Sequence, residues 1–427
     1  MSNLPTEFDI QPKPLQKARI SITNVHPASL SEWDMIWREC DYSTYFHSRE
    51  WAEIWSCYTK GKMSLTPFLV KFSDGKSALL PFSCLTEDGV MPILIGTRRL
   101  YLSSPECTYG GWISSDRLLA DHAILLLNLV RQKFKNLLWR MNPYDDVALK
   151  CRFNIPRVSV DDEGETQAIN LEKGFDIIAS NMSRDHRRAV KKAIQNGVSV
   201  RISSSIEDWR DYYQVYEDTV SRWGNRLLGE KYSWGFFQDI FRRDSPNIEL
   251  WLATYQDKVI SGALFFHSKK HFVDWHSAAI ETYFDLKPVN LLLYEVIKKA
   301  CEKGYTWFDF NPSAGLQGVK SFKEGFGAQA LKCPIVRIRP RNMRTLAIAK
   351  VNDKVTEIRK RMNCALSSPF LRTSLTISRQ RALLNRNRLQ TIWYDKNFIY
   401  NFQSNLAKQV AVAPQELHGF RYGYAVS

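Results

Sequence analysis

No apolar run in the 427-residue sequence approaches the roughly 20 residues needed to span a bilayer. The opening MSNLPTEFDIQPKP has no basic segment followed by an apolar core, so no signal peptide is read there and a cytoplasmic protein is expected. Eight cysteines are scattered: Cys40, Cys57, Cys84, Cys107, Cys151, Cys301, Cys333 and Cys364. None forms a C-x-x-C pair and no Cys/His group has zinc spacing, so reduced, mostly buried thiols and no metal are expected. His186, His267, His271 and His276 do not pair four apart on a helix with a glutamate, which argues against a zincin. A hydrolase elbow G-x-S-x-G and a G-x-G-x-x-G are both missing. GLQGVKS fails as a phosphate loop because Val319 separates Gly318 from Lys320. Simple metal-dependent or nucleotide-hydrolysing chemistry is thereby demoted.

What is present suits a protein of about two domains. Hydrophobic residues make up 44% of the chain and aromatics 13%, enough for sizeable cores. The formal charge is +15, and it is unevenly spread. Residues 341–427 hold 15 Lys/Arg against Asp353, Glu357, Asp395 and Glu416, a net +11, which leaves +4 for the first 340 residues. Such a tail suits RNA, anionic lipid or another polyanion, and it equally suits a solvated helical surface.

Periodicity and capping signals place the elements. ARISITNV reads as a strand, then SLSEWDMIWREC as a helix with Ser29 or Ser31 as cap and Trp33, Ile36 and Trp37 on one face. SREWAEIWSCY is a second helix. TPFLVKFSDGKSALLPFSCL is a hairpin about Asp74-Gly75. A helix at 118–134 and a strand at 136–143 follow. The plan then restarts with strand ETQAINLEKG, a basic helix capped by Ser183 and ended by Gly197, and a long helix opened by Ser205 and Asp208. Three strands, a helix begun by Pro288 and the strand YTWFDF complete it. Element order alone thus predicts two α/β units, 20–160 and 161–340, after a flexible lead at 1–19 and before a basic helical extension at 341–427.

Four segments, in order over roughly residues 20–335, resemble the FemABX-like acyltransferases, the GNAT branch with two GNAT-like domains in tandem. They are FHSREWAEIW; Tyr109-Gly110-Gly111; MSRDHRRAVKKAIQNGVSV with VYEDTVSRWG; and FDFNPSAGLQGVKSFKEGFGA. The last is similar to the family's Phe-Asp-Phe-Gly-Gly…Phe-Lys-x-Gly-Phe-Gly. Asn311 and Pro312 replace the two glycines, and Trp55 stands where some members carry a substrate-binding lysine. The resemblance implies an α/β fold of two tandem GNAT-like domains with mixed, mostly antiparallel sheets, the second presumed catalytic.

It also implies a chemistry. Acetyl-CoA-dependent GNAT proteins hold pyrophosphate on a glycine-rich turn at a helix N-terminus. The corresponding ETYFDLKPVN, residues 281–290, has no glycine, and Pro288 removes an N–H donor. An aminoacyl-tRNA donor is therefore expected, with no tightly bound cofactor. An acyl-CoA or acyl-carrier-protein donor is the runner-up, and a non-catalytic RNA- or membrane-binding protein is the alternative of another class. Expected partners are tRNA, a small-molecule or lipid-linked amine acceptor, and an anionic membrane surface.

Lys323 aligns with the family's Phe-Lys lysine, and Lys320 lies beside it after the strand end. A fixed cation there would stabilise the oxyanion of aminolysis; otherwise both are surface lysines. Phe322 either walls the site or fills the core. Arg222 aligns with an arginine that holds substrate phosphate in some members, a task its fork suits. Arg187 and Arg188, on the basic helix, would bind phosphate or RNA, or merely solvate a face. His276 and Asp274 read as packed strand residues, or His276 as a general base. Trp51, Tyr109 and Asp309, within the resembling segments, complete the candidate substrate-binding set.

Overall fold

A computed structural model describes residues 20–87, 98–150, 158–161, 164–223, 231–313 and 315–338. The expected lead at 1–19 and basic extension at 341–427 lie outside the described residues. Strand β1 (Ile22–Pro27) leads to helix α1 (Leu30–Glu39). Its capping box is reciprocal: Glu32 N–H donates to Ser29 Oγ at 3.2 Å, and Ser29 N–H donates to the Glu32 carboxylate at 2.8 Å. Helix α2 (Arg49–Tyr58) starts on Ser48, whose Oγ accepts from Trp51 N–H, and buries Trp51, Ala52, Ile54 and Trp55. Strands β2 (Met63–Phe72) and β3 (Ser77–Glu87) form the hairpin, with Gly75 at φ +85° supplying the turn's left-handed residue. Then come β4 (Arg98–Leu102), β5 (Tyr109–Gly110), α3 (Ala120–Lys133), β6 (Leu137–Met141), a short α4 (Asp146–Leu149) and β7 (Val158–Asp161).

The second half runs β8 (Glu165–Asn170), α5 (Phe175–Asn181), α6 (Arg184–Gln195), β9 (Ser199–Ile202), α7 (Ile206–Trp223), α8 (Trp234–Arg242), β10 (Ile248–Tyr255), β11 (Lys258–Ser268), β12 (His271–Ala279), α9 (Pro288–Glu302), β13 (Trp307–Asp309), α10 (Gln317–Gly325), β14 (Gln329–Lys332) and β15 (Ile335–Ile338). Seven strands make one sheet in the order β14-β8-β13-β12-β11-β10-β9, antiparallel except where β13 runs parallel to β12. The other sheet runs β1-β2-β3-β4-β6-β15-β7, with β5 also on β6. Mixed, mostly antiparallel sheets are therefore observed as expected. The last described strand, β15, crosses from the second half to lie antiparallel between β6 and β7.

Between the sheets lies a continuous apolar core. Trp51 and Trp55 of α2 meet Phe236 of α8, Phe266 of β11 and Trp275 of β12, with Trp51 centroids 5.1 Å from Phe266 and 5.6 Å from Trp275. Burying each such ring contributes roughly 1.5–3 kcal/mol, so the contact fixes the two sheets together. No helix among the described residues is long and apolar enough to cross a membrane.

Candidate active site

Strands β12 and β13 pair only from His271–Trp307 to Val273–Asp309. Beyond that point β12 continues to Ala279 while β13 has ended, so the two strands part. A bulge marks the same place: Leu264 of β11 opposes His276 and Phe265 opposes Asp274, leaving Trp275 without a cross-strand partner. Into this gap the fold brings three ionisable side chains.

Asp309, at the end of β13, is 0% exposed. Its carboxylate accepts from Thr166 Oγ1 at 2.6 Å, Tyr144 Oη at 2.7 Å, Tyr109 Oη at 3.2 Å and the backbone N–H of Asn311 at 2.7 Å. Thr166 belongs to β8, whereas Tyr109 of β5 and Tyr144 come from the other half of the chain. Burial raises the Asp309 carboxyl above its usual range, and these donors pull it back. The hydrogen bond to Asn311 is an Asx turn, and it holds Asn311 at φ +64°, a conformation asparagine tolerates better than most residues.

Helix α10 then returns to the gap. Val319, Phe322, Lys323 and Phe326 recur at the spacing of one helical face, so Lys323 occupies a position in an otherwise apolar stripe. It is 2% exposed, and Nζ donates to the Asn311 carbonyl oxygen at 2.8 Å. Burial lowers the amine from its ordinary value, and the charges of Asp274 and Asp309 pull it upward. Burial likewise raises the Asp274 carboxyl, countered by the Ser277 hydroxyl, 2.9 and 3.0 Å from its oxygens, and by Lys323. Arg140 adds a second buried cation: Nε donates to the Cys107 carbonyl at 3.0 Å and Nη1 lies 3.5 Å from Cys333 Sγ. The Cys333 thiol, pushed up to about 11 by burial, stays protonated near neutral pH.

The candidates from sequence thus divide. Tyr109, Asp309 and Lys323 meet in one buried network. Phe322 is half-buried beside it, 5.0 Å from the His186 ring and 5.4 Å from Phe326. Lys320 faces outward and pairs with Glu165 at 2.5 Å. His276 is enclosed: Nδ1 lies 2.5 Å from Tyr212 Oη, which also donates to the His276 carbonyl at 3.0 Å, and burial lowers the imidazole to about 3. Trp51 lies in the aromatic core and donates to Thr108 Oγ1 at 3.1 Å. Arg187 and Arg188 are exposed on α6; Arg187 donates to the Ser180 and Met182 carbonyls.

Arg222 closes α7 and lies 4.5 Å over the Phe284 ring, with Nη1 buried and unpaired among the described residues. Phe284 belongs to the 3-10 turn Glu281–Leu286, which runs through Lys287 at φ +58° into Pro288. That turn carries aromatic side chains where a close phosphate approach would need bare backbone. Tyr144, Thr166 and Arg140 were not among the sequence candidates, and no local pattern marks them.

Residues 180–324 match the family model of the GNAT acetyltransferase domain. No curated protein matches the sequence. Among solved structures, FemX is similar with a TM-score of 0.57 and 13% identity, over 76% of this chain and 99% of that one. L-PGS from Bacillus licheniformis gives 0.42 and 11%, over 69% and 94%. A tandem GNAT protein from the clavulanic acid biosynthesis pathway gives 0.40 and 11%, over 75% and 99%.

Proposed function

We propose that the chain is a FemABX-like GNAT-fold acyltransferase that moves an aminoacyl group from an activated ester onto an amine, forming an amide. One observation carries the reading: the Lys323 ammonium, enclosed beside Asp274 and Asp309 where β12 and β13 part. The acceptor's neutral amine attacks the donor carbonyl carbon, and the carbonyl electron pair moves to oxygen. Lys323 stabilises that oxyanion. Collapse expels the donor oxygen, which leaves with the proton released by the new amide nitrogen. A cation held in a dry site is worth far more to this step than one in water.

The donor we assign is aminoacyl-tRNA, because residues 281–290 offer no glycine and present Tyr283 and Phe284 at the start of α9. The acceptor we assign bears phosphate or sugar, since Arg222 has a guanidinium nitrogen beside that turn that is unpaired among the described residues. An acyl-CoA or acyl-carrier-protein donor is the second reading, favoured by the match to the acetyltransferase domain model. The test offers tRNA charged with all amino acids, or a set of acyl-CoAs, with a panel of amines, and follows amide products by mass spectrometry. Products from charged tRNA, with acetyl-CoA binding weaker than about 10 μM, or roughly −7 kcal/mol, support the first reading. Products from acyl-CoA alone transfer the assignment to the second.

A further inference from the structure

Asn311 stands where β13 has ended and the chain turns toward α10. Its side chain is 0% exposed, yet neither Oδ1 nor Nδ2 has a hydrogen-bond partner among the described residues. Buried carboxamides are normally satisfied, so two orphaned atoms on one side chain call for an explanation. The backbone does not supply one, because glycine takes φ +64° at no cost. The main chain is fixed on both sides, its N–H by Asp309 and its carbonyl by Lys323. The carboxamide is thereby attached to the same peptide unit that anchors the candidate catalytic lysine.

A carboxamide offers one donor and one acceptor side by side. An aminoacyl group offers the complement: a carbonyl oxygen, and an α-nitrogen two bonds from the carbonyl carbon. A simple acyl group satisfies Nδ2 and leaves Oδ1 unpaired. We propose that Asn311 reads the α-amino group of the donor, with Nδ2 donating to the acyl oxygen and Oδ1 accepting from the α-nitrogen. This rests on the aminoacyl-transfer reading above and narrows it to donors with a free α-amino group, whose ammonium form makes the charge-assisted hydrogen bond that an acetylated nitrogen, left with a neutral amide N–H, does not.

The experiment uses the full chain and three probes: tRNA charged with all amino acids, the same material N-acetylated, and uncharged tRNA. Competition binding by wild type should favour the free over the N-acetylated form at least tenfold, about 1.4 kcal/mol. Asn311→Gly, which suits the backbone, should bring the two within twofold and leave uncharged tRNA binding unchanged. Asn311→Asp retains an acceptor for the α-nitrogen and should keep the preference. Exclusion of the acetyl group by bulk alone would survive in Asn311→Gly, and that result overturns the proposal. Equal binding of both charged forms by wild type overturns it as well, whether or not the variants fold. Where either overturning result is seen and wild type still makes amide from charged tRNA, the transfer reading stands and only the role of Asn311 falls. If charged tRNA is neither bound above uncharged tRNA nor used while acyl-CoA is, both fall together.

Discussion

Lys323 lies in the interior near the carboxyl groups of Asp274 and Asp309, and its protonation is the quantity most open to measurement. Burial places its folded pKa below lysine's ordinary value. If the ammonium stabilises the oxyanion, turnover falls as pH rises through that lowered pKa, whereas the acceptor amine, which must be neutral to attack, gives the rising limb. The falling limb is therefore expected well below pH 10, and Lys323→Arg should move it upward. Lys323→Ala should lower turnover on the order of a hundredfold with little change in acceptor KM. A wild-type limb above pH 10, or full turnover in the alanine variant, would remove Lys323 from the chemistry. Three histidines make a separate prediction about stability. Burial lowers His47 to about 4 and His271 and His276 to about 3. Between those values and the ordinary 6.5 the unfolded chain binds protons that the folded chain does not. Stability is then fully present above about pH 6.5 and declines as pH falls toward the folded values, by roughly 3–5 kcal/mol per histidine. Urea midpoints at pH 5 should lie clearly below those at pH 7.5; equal midpoints would mean that these rings are charged in the fold.

Helix α10 shows what is legible locally and what is not. α1, α6 and α7 announce themselves through Ser29, Ser183 and Ser205, because a cap and its period lie within a few residues. QGVKSFKEG carries Gly318 and Gly325 and follows Pro312 and Gly315, so it reads as a turn. Tertiary contact decides the matter instead, with Val319 and Lys323 buried and Phe326 packed on Phe310. Gly325 has a packing reason: a Cβ there would stand 2.5–3.0 Å from the His186 ring of α6. Gly325→Ala should accordingly destabilise by about 1–3 kcal/mol and loosen α10 from α6, measured by chemical denaturation and by hydrogen exchange in α10. An unchanged midpoint would show that His186 gives way freely. The site divides along the same line. Lys323, Tyr109 and Asp309 were marked by resemblance. Tyr144 was not, since its partner lies 165 positions away and nothing near it records that distance. The β12–β13 gap is equally hidden, because strand length on the parallel side is set by register.

The whole molecule is tied together twice, by the aromatic core between the sheets and by the return of β15. We propose that the basic segment beyond Pro340 acts apart from both. A chain ending at Pro340 keeps β15 and discards 15 Lys/Arg against four acids. It should retain its melting temperature and lose most salt-sensitive binding to a polyanion such as RNA. A chain ending at Cys333 removes β15, bares the edges of β6 and β7, and should lower the melting temperature sharply or fail to fold. Equal melting of the two shortened chains would make β15 dispensable. The position of β15 also bears on how the protein is made. Synthesis delivers β6 and β7 long before the strand that belongs between them, so the first sheet stays open on the ribosome until residues 335–338 have emerged. Early completion of the N-terminal half is thereby denied, loop closure over nearly two hundred residues precedes the final pairing, and the nascent chain carries a vacant strand slot while the whole second half is made.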